Sequence, residues 1–310
     1  MKRVAITGVT GAIGIAVIEK CITENVDVYA FVHKNSKRNN RIPKHELVHL
    51  IPCDLSELCS LDVDNIKVCD AFYHLGWAAT MGTGRNDMQM QLTNVQYTLD
   101  AVKLAHRLGC RVFVGTGSQA EYGRYEGKLK EETPAFPENG YGIAKLCAGQ
   151  MSRILCEQLG MRQVWARVLS VYGPYDNENS MISSTIKNLL QGHKPALTAG
   201  EQQWDYLYSK DAAEALYLLA ATEKASGIYC LGGGVAQPLR QYVEMMRNQI
   251  DPELALGFGE IPYADKQVMY LCADTSRLQN DTKFQPKTSF EEGIGETIEW
   301  MKKRLSYEEA

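Results

Sequence analysis

A short apolar run at the start of the chain leads into the glycine pattern TGVTGAIG at residues 7–14, and no other segment restricts the possible folds as strongly. Glycines at this spacing, between a strand and a helix, are typical of a turn that binds a dinucleotide. Gly8 permits the tight turn, Gly11 lets the backbone approach a pyrophosphate, and Gly14 brings the helix close to the strand. The helix N-terminus then directs its amide groups at the phosphates. The predicted cofactor-binding residues of this turn are Gly8, Thr10, Gly11, Ala12, Ile13 and Gly14.

Short apolar runs alternate with amphipathic helical stretches through the first half of the chain. The predicted strands are residues 4–7, 28–32, 47–51, 71–75, 111–115 and 164–168. Near-continuous apolar strands that alternate with helices indicate a parallel sheet covered on both faces. Since such crossovers are right-handed, the predicted fold class is α/β, a Rossmann-type doubly wound parallel sheet.

The pattern changes after residue 168. We predict that residues 1–168 form a dinucleotide-binding Rossmann domain, to which later segments return. Residues 169–310 are expected to form mainly a smaller α/β lobe that binds the substrate. The helices predicted in this part are residues 182–191, 211–222, 238–250 and 290–304.

The segment after the second predicted strand indicates which dinucleotide binds. An acidic residue there would bind the 2'-hydroxyl of NAD and repel a 2'-phosphate. This chain has instead His33, Lys34 and Arg38, which suit a phosphate. The pattern favours NADP(H) over NAD(H), and a solvated basic loop is the alternative. Asp54 and Leu55, after the third strand, are predicted to contact the adenine, although Asp54 would serve equally as a helix N-cap.

Three polar residues form the predicted catalytic group. Tyr141 and Lys145 are four residues apart, on one face of a predicted helix. An ammonium near a phenol lowers the phenol pKa and makes it a usable acid or base. Ser118 follows the fifth predicted strand, where its hydroxyl can polarise a carbonyl that Tyr141 protonates. A Tyr-x-x-x-Lys pair alone is common in helices, but its combination with the serine and the glycine turn predicts catalysis.

Further segments extend this pattern along nearly the whole chain. They are HLGWAA (74–79), SVYGP (170–174), WDYLYSKDAAEAL (204–216) and ADTSRL (273–278), together with Asn94 and Arg167. With the motifs above, they resemble the extended short-chain dehydrogenases/reductases of the NAD-dependent epimerase/dehydratase family. The resemblance implies catalytic roles for Ser118, Tyr141 and Lys145, and contact of Lys145 with the nicotinamide ribose. It also adds Leu75, Gly76, Ala78 and Asn94 to the predicted cofactor-binding residues.

The chain departs from the family pattern at three places. The end of the second strand is basic rather than acidic, Ser170 replaces an asparagine, and Trp204 replaces a frequent arginine. Residues 116–123, 204–211 and 259–282 are most similar to the bacterial nucleotide-sugar 4-ketoreductases, such as CDP-abequose synthase. The resemblance therefore implies NADPH-dependent reduction of a nucleoside-diphosphate-linked 4-keto-6-deoxyhexose, without a metal.

Candidate substrate contacts follow from position in the family pattern. They are Gln119, Glu121, Asn179, Met181, Trp204 and Lys266. Some of these have simple alternatives: Glu121 as a surface charge, Lys266 as a surface lysine and Trp204 as a core aromatic residue.

Three other functions remain open. A 4-epimerase of the same family would keep NAD bound, and the basic residues after the second strand argue against it. A dehydratase usually has an Asp-Glu pair where this chain has Gln119 and Ala120. A non-catalytic cofactor sensor on the same fold is opposed by the intact serine, tyrosine and lysine.

Bulk properties exclude several classes of partner. The formal net charge of -4 does not favour nucleic acid or an anionic membrane surface. No apolar stretch reaches the roughly 18 residues that a membrane-spanning helix needs. Nine cysteines without a C-x-x-C pair predict no disulfide framework and fit a reducing cytoplasm. The apolar faces of residues 93–108 and 141–159 permit a homodimer, as the resemblance implies.

Overall fold

A computed structural model describes residues 1–308 of the chain, and the side chains of residues 1–306. The strands are β1 (Arg3–Thr7), β2 (Asp27–Val32), β3 (Val48–Pro52), β4 (Ala71–His74), β5 (Val112–Ser118), β6 (Arg162–Val168), β7 (Val171–Tyr172), β8 (Ala196–Leu197), β9 (Gln203–Trp204), β10 (Leu207–Tyr208), β11 (Gly227–Leu231), β12 (Gln237–Pro238), β13 (Gly257–Phe258) and β14 (Tyr270–Leu271). The helices are α1 (Ala12–Thr23), α2 (Met88–Arg107), α3 (Gly140–Gln158), α4 (Met181–Leu190), α5 (Ser209–Ala221), α6 (Leu239–Ile250), α7 (Ser276–Thr282) and α8 (Phe290–Glu308).

The central sheet has seven parallel strands in the order β11-β6-β5-β4-β1-β2-β3. The predicted doubly wound α/β sheet is therefore confirmed. The chain runs outward from β1 in both directions, so a crevice opens at the carboxyl ends of β1 and β4, where ligands bind in such folds. The edge strand β11 was not predicted, because a short apolar run does not by itself distinguish strand from helix.

Helices cover both faces of this sheet. Helices α1, α5 and α7 lie on one face, and α2 and α3 lie on the other. Val4, Ala5 and Ile6 of β1 are fully buried, as expected for a strand covered on both sides. The segment after residue 168 returns to the sheet through α5 and β11.

Side-chain caps determine where two of the site-forming helices begin. The Asp87 carboxylate accepts a hydrogen bond from the Met90 amide at 3.1 Å, so α2 begins five residues before the predicted Thr93. The Asn139 side chain accepts from the Gly142 amide at 2.9 Å and starts α3 directly before Tyr141.

Trp165 of β6 sets the distance between α3 and the sheet. Its side chain is almost completely buried. A Cβ atom on Gly115 or Gly149 would lie only 2.4 or 2.7 Å from the indole ring, so neither position accommodates a side chain. The two glycines let β5 and α3 approach the indole closely, and this packing brings the end of β5 near Tyr141.

A second hydrophobic core forms within residues 172–305. Helices α4, α6 and α8 pack around an aromatic group in which the Tyr172 ring lies 5.5 Å from Tyr208 and 4.9 Å from Phe290, measured between centroids. The short strands β8, β9, β12, β13 and β14 form two small sheets in this part of the chain. Of the described helices, none is both long and apolar enough to cross a membrane.

Candidate active site

The glycine turn after β1 has the shape that a dinucleotide requires. Gly8 has φ +74°, and a Cβ atom there would lie 2.5 Å from the Gly76 nitrogen. A Cβ atom on Gly14 would lie 2.3 Å from the Gly8 carbonyl oxygen, so α1 lies directly against the turn. By contrast, a Cβ atom on Gly11 would contact nothing within 4 Å. None of the described side chains caps α1, so its first amides remain available for a pyrophosphate beside Gly11.

A cavity of about 430 Å³ continues from this turn over the ends of β2 and β3. Its walls include Gly8, Thr10, His33, Ser36, Arg38, Asp54, Leu55, Gly76 and Ala78. The His33 Nε2 atom lies 3.7 Å from the Asp54 carboxylate. Lys34, which was also predicted to bind the cofactor, does not line the cavity. Its ammonium pairs with Glu57 at 2.5 Å, so a nearby carboxylate already neutralises it.

Asn94 is placed differently from its predicted role. It is 1% exposed, and its side chain accepts from the Ala78 amide at 2.9 Å and donates to the Ala78 carbonyl at 3.0 Å. The side chain therefore fastens the loop after β4 and does not line either cofactor-side cavity. Gly76 and Ala78 of that loop line the cavity over β2, and Leu75 lines the neighbouring cleft.

Ser118, Tyr141 and Lys145 meet beside a cleft of about 600 Å³ at the carboxyl end of β5. Ser118 ends the strand, and its Oγ atom accepts from the Ala120 amide at 3.2 Å. Tyr141 is 9% exposed and lines the cleft. Lys145 lies deeper, and its Nζ atom donates to the Thr116 carbonyl at 2.7 Å. The three predicted catalytic residues thus share one site, which also contains the glycine turn.

The pKa values differ from the expectation that Lys145 lowers the tyrosine pKa. Burial lowers the pKa of Lys145 to about 7, against a smaller opposing effect of Glu121. Burial raises the pKa of Tyr141, and a hydrogen bond with Ser118 and the nearby Arg85 guanidinium oppose that rise. Tyr141 is consequently protonated at neutral pH and suited to donate a proton.

Glu121 does not reach the cleft, which corrects its prediction as a substrate contact. Its side chain is completely buried, and its carboxylate accepts from Arg167 Nε at 2.6 Å and Trp165 Nε1 at 3.0 Å. It also accepts from the Ser118 amide at 2.8 Å. Glu121 therefore supports the turn that carries Ser118. Its neighbour Gln119 lines the cleft and stays a predicted substrate contact.

The other predicted substrate residues divide into two groups. Met181 and Trp204 line both the cleft and an adjoining, mostly apolar cavity of about 330 Å³. Asn179 and Lys266 are exposed, and neither is among the described residues that line these two cavities. Ser170 and Trp204, two of the three departures from the family pattern, contact each other: Trp204 Nε1 donates to Ser170 Oγ at 2.8 Å.

Several residues of the cleft were not predicted from the sequence. Arg85 and Asp176 are its charged members among the described lining residues, and Tyr206 connects it to the adjoining cavity. Arg85 lies in a short turn at residues 82–86 that follows no recognised motif. Its position after the fourth strand was the only available signal, because the carboxyl ends of parallel strands share one edge.

The fold and the site define a dinucleotide-binding α/β enzyme that has a serine, a tyrosine and a lysine at the carboxyl edge of its sheet. A model of the NAD dependent epimerase/dehydratase family matches residues 4–232, which is more than half of the chain. The chain belongs to this family, whose members include nucleotide-sugar epimerases, dehydratases and decarboxylases.

Individual relatives are similar along almost the entire length. A dTDP-glucose 4,6-dehydratase from Mycolicibacterium smegmatis is 24% identical over 98% of this chain and 95% of its own. The solved UDP-N-acetylglucosamine 4-epimerase from Methanobrevibacter ruminantium superposes with a TM-score of 0.88 at 24% identity, covering 98% of this chain and 99% of the other. A dTDP-glucose 4,6-dehydratase from Streptomyces venezuelae, solved with NAD bound, has a TM-score of 0.84 at 20% identity, covering 98% of both chains.

Proposed function

We propose that the protein is an NADP(H)-dependent reductase that converts a nucleoside-diphosphate-linked 4-keto-6-deoxyhexose to the 4-hydroxy sugar. The observation that carries this proposal is the wall of the cavity after β2. His33, Ser36 and Arg38 line it, and the residue that directly follows the strand is not acidic. A 2'-phosphate in this cavity would contact the guanidinium of Arg38, the hydroxyl of Ser36 and the imidazole of His33. The acidic residue that binds the 2'-hydroxyl of NAD in such folds is absent from the position after β2.

The site residues support a proton transfer coupled to reduction. NADPH, when bound, supplies the hydride to the sugar carbonyl carbon. Tyr141 donates its phenolic proton to the carbonyl oxygen, since burial keeps the phenol protonated at neutral pH. The Ser118 hydroxyl donates a hydrogen bond to the same oxygen and shares its developing charge. Lys145 lies deeper, with Nζ donating to the Thr116 carbonyl and 5.9 Å from the centroid of the Tyr141 ring, and it would contact the nicotinamide ribose.

The shape of the substrate cavities supports a nucleotide sugar. The cleft extends from Ser118 and Tyr141 past Trp204 into the apolar cavity between α4 and the short strands. The sugar would occupy the end beside Tyr141, and the nucleoside would occupy the apolar end. Gln119, Met181 and Trp204 remain proposed substrate contacts. Asn179 and Lys266 would need to move to contact a ligand in these cavities.

A homodimer is part of the proposal. Helices α2 and α3 pack side by side and leave large apolar side chains on the surface. Leu92 and Ile143 are 64% and 54% exposed, and Met151 and Ile154 are also exposed. Pairing of this face with that of a second copy would bury them, whereas a monomer would leave them in water. Light scattering during size-exclusion chromatography would distinguish the two states.

An NAD-retaining 4-epimerase is the second candidate. Its specific support is the similarity to a solved 4-epimerase across nearly the full chain. An epimerase would use the same tyrosine and would carry NAD through purification. A dehydratase has less support, because Gln119 and the buried Ala120 replace its usual acidic pair.

The experiment follows absorbance at 340 nm with purified protein, NADPH or NADH, and 4-keto-6-deoxyhexoses linked to CDP, dTDP, GDP or UDP. Oxidation of NADPH that Tyr141→Phe abolishes would support the reductase and identify the nucleotide. No oxidation with any substrate, together with NAD released from denatured protein, would favour the epimerase.

A further inference from the structure

Arg85 is a charged residue of the cleft with no assigned role. It lies in the turn Gly82–Asn86, and its guanidinium carbon is 4.5 Å from the centroid of the Tyr141 ring. Among the described residues that line the cleft and the adjoining apolar cavity, Arg85 is the only lysine, arginine or histidine. Its one described hydrogen bond is to the Thr80 carbonyl at 3.3 Å. A guanidinium has five donors, so most of them have no described hydrogen-bond partner.

The turn that carries Arg85 is held in place on two sides. Gln91 is 2% exposed, and its Nε2 atom donates to the carbonyls of Ala79 and Gly84 at 3.0 and 2.9 Å. On the other side, the Gly140 amide donates to Asn86 Oδ1 at 3.0 Å. Since Gly140 directly precedes Tyr141, this bond ties the turn to the helix that carries the tyrosine. Hydrogen bonds on both sides of the turn therefore hold the Arg85 guanidinium beside the Tyr141 ring.

Other groups near Tyr141 are directed elsewhere. Lys145 Nζ is 5.9 Å from the phenol ring centroid but only 3.8 Å from that of Trp77, and it donates to a carbonyl. The Glu121 carboxylate is buried behind Ser118 and paired with an arginine. The groups that face the tyrosine from its packed neighbours are Arg85, Trp77, Ser118, Glu121 and Lys145.

We propose that Arg85 is a positioning residue that holds the Tyr141 ring against the cleft wall and supplies the positive charge beside the phenol from the cleft side. The inference rests on the proposed function only in taking Tyr141 as the proton donor. A cation over the ring face attracts the ring and stabilises the phenolate that remains after proton transfer. The nearby guanidinium also acts against the rise that burial causes in the Tyr141 pKa.

The direct test titrates Tyr141 without substrate. Protein labelled with 3-fluorotyrosine, whose phenol titrates at lower pH than tyrosine, is followed by fluorine NMR, and Tyr141→Phe identifies the resonance. We expect Arg85→Met to move this titration to higher pH and Arg85→Lys to restore part of the difference. The matched control is Arg153→Met, an exposed arginine farther along α3, which should leave the titration unchanged.

The kinetic test uses the 4-keto sugar that the wild-type protein reduces. We expect Arg85→Met to lower kcat about tenfold, with a smaller change in KM, because the tyrosine loses its charge partner in the proton-transfer step. An unchanged Tyr141 titration in Arg85→Met would overturn the proposal, as would an increase in KM alone, which would make Arg85 a substrate-binding residue. Since the titration needs no substrate, failure of the proposed reductase activity would leave this test intact.

Discussion

The buried ion pair between Glu121 and Arg167 permits a quantitative prediction about the support of the active site. The two side chains are 0% and 3% exposed, and their charged atoms are 2.6 Å apart. The same carboxylate accepts from Trp165 and from the Ser118 amide. The substitution Glu121→Gln retains the size of the side chain and removes only its charge and one acceptor.

The expected loss of stability follows from what the amide cannot do. A glutamine oxygen can still accept from Trp165 and Ser118, but its amino group cannot accept from the Arg167 guanidinium. The arginine is then a buried cation without a counter-charge, and breaking such a pair typically costs about 3–5 kcal/mol. Replacing the partner as well, in Glu121→Gln with Arg167→Met, removes the unpaired charge. We therefore expect the double variant to be more stable than Glu121→Gln alone.

The assay is urea unfolding at pH 7, followed by circular dichroism on protein without added ligands. The matched control is Glu138→Gln, which removes the exposed pair with Arg124 and should change the midpoint only slightly. We also expect Glu121→Gln to lower kcat, because a neutral amide oxygen binds the Ser118 amide more weakly than the carboxylate does. A loss of less than about 1 kcal/mol in the unfolding free energy, or a double variant less stable than the single one, would refute the reasoning.

Three further predictions concern the glycine turn after β1, Arg38 in the cavity after β2, and Lys145. Gly8→Ala should unfold at lower temperature, because φ is +74° and its Cβ would strike the Gly76 nitrogen, whereas Gly11→Ala should unfold normally but bind the dinucleotide more weakly in a fluorescence titration. Arg38→Glu should lower kcat/KM for NADPH about tenfold or more and leave that for NADH nearly unchanged, as measured at 340 nm. Burial lowers the Lys145 pKa from 10.5 to about 7, so the unfolded chain binds more protons between these values and stability from this residue rises with pH across that window. Lys145→Met should remove this rise and increase the melting temperature at pH 6.5, where the buried ammonium is mostly charged. Equal melting temperatures of Lys145→Met and the wild-type protein at pH 6.5 would contradict the lowered pKa of Lys145.

Sequence patterns predicted the sheet well where periodicity was strong. The six strands from β1 to β6 follow the apolar runs, and those in the interior of the sheet are apolar throughout because helices cover both of their faces. Helix starts were less accurate: α2 begins at Met88, since Asp87 caps it, and an aspartate in a polar stretch is not distinctive. Strand β11 was missed because its short apolar run, GIYCL, does not by itself distinguish a strand from a helix.

For the site, motifs predicted which residues meet but not what each one contacts. The glycine turn follows β1, Ser118 ends β5, and α3, the next helix, carries Tyr141 and Lys145. These groups come together because the carboxyl ends of parallel strands share one edge of the sheet. The partners of Lys34 and Glu121 were not predictable, since both depend on side chains from other elements. The role of Asn94 was also different: it holds the loop after β4 through the Ala78 backbone.

The sequence alone therefore determined the fold class, the family and the three polar residues of the site, because these depend on local patterns: apolar period, glycine spacing and helical spacing. Tertiary structure decided the electrostatics. Whether a charged side chain faces the cleft, as Arg85 does, or is neutralised in the interior, as Glu121 is, depends on which groups the fold brings within a few ångströms. Such proximity leaves no trace in the spacing of residues along the chain, since Glu121 lies in the turn after β5, Arg167 lies in β6, and the two meet only when β5 and β6 pair.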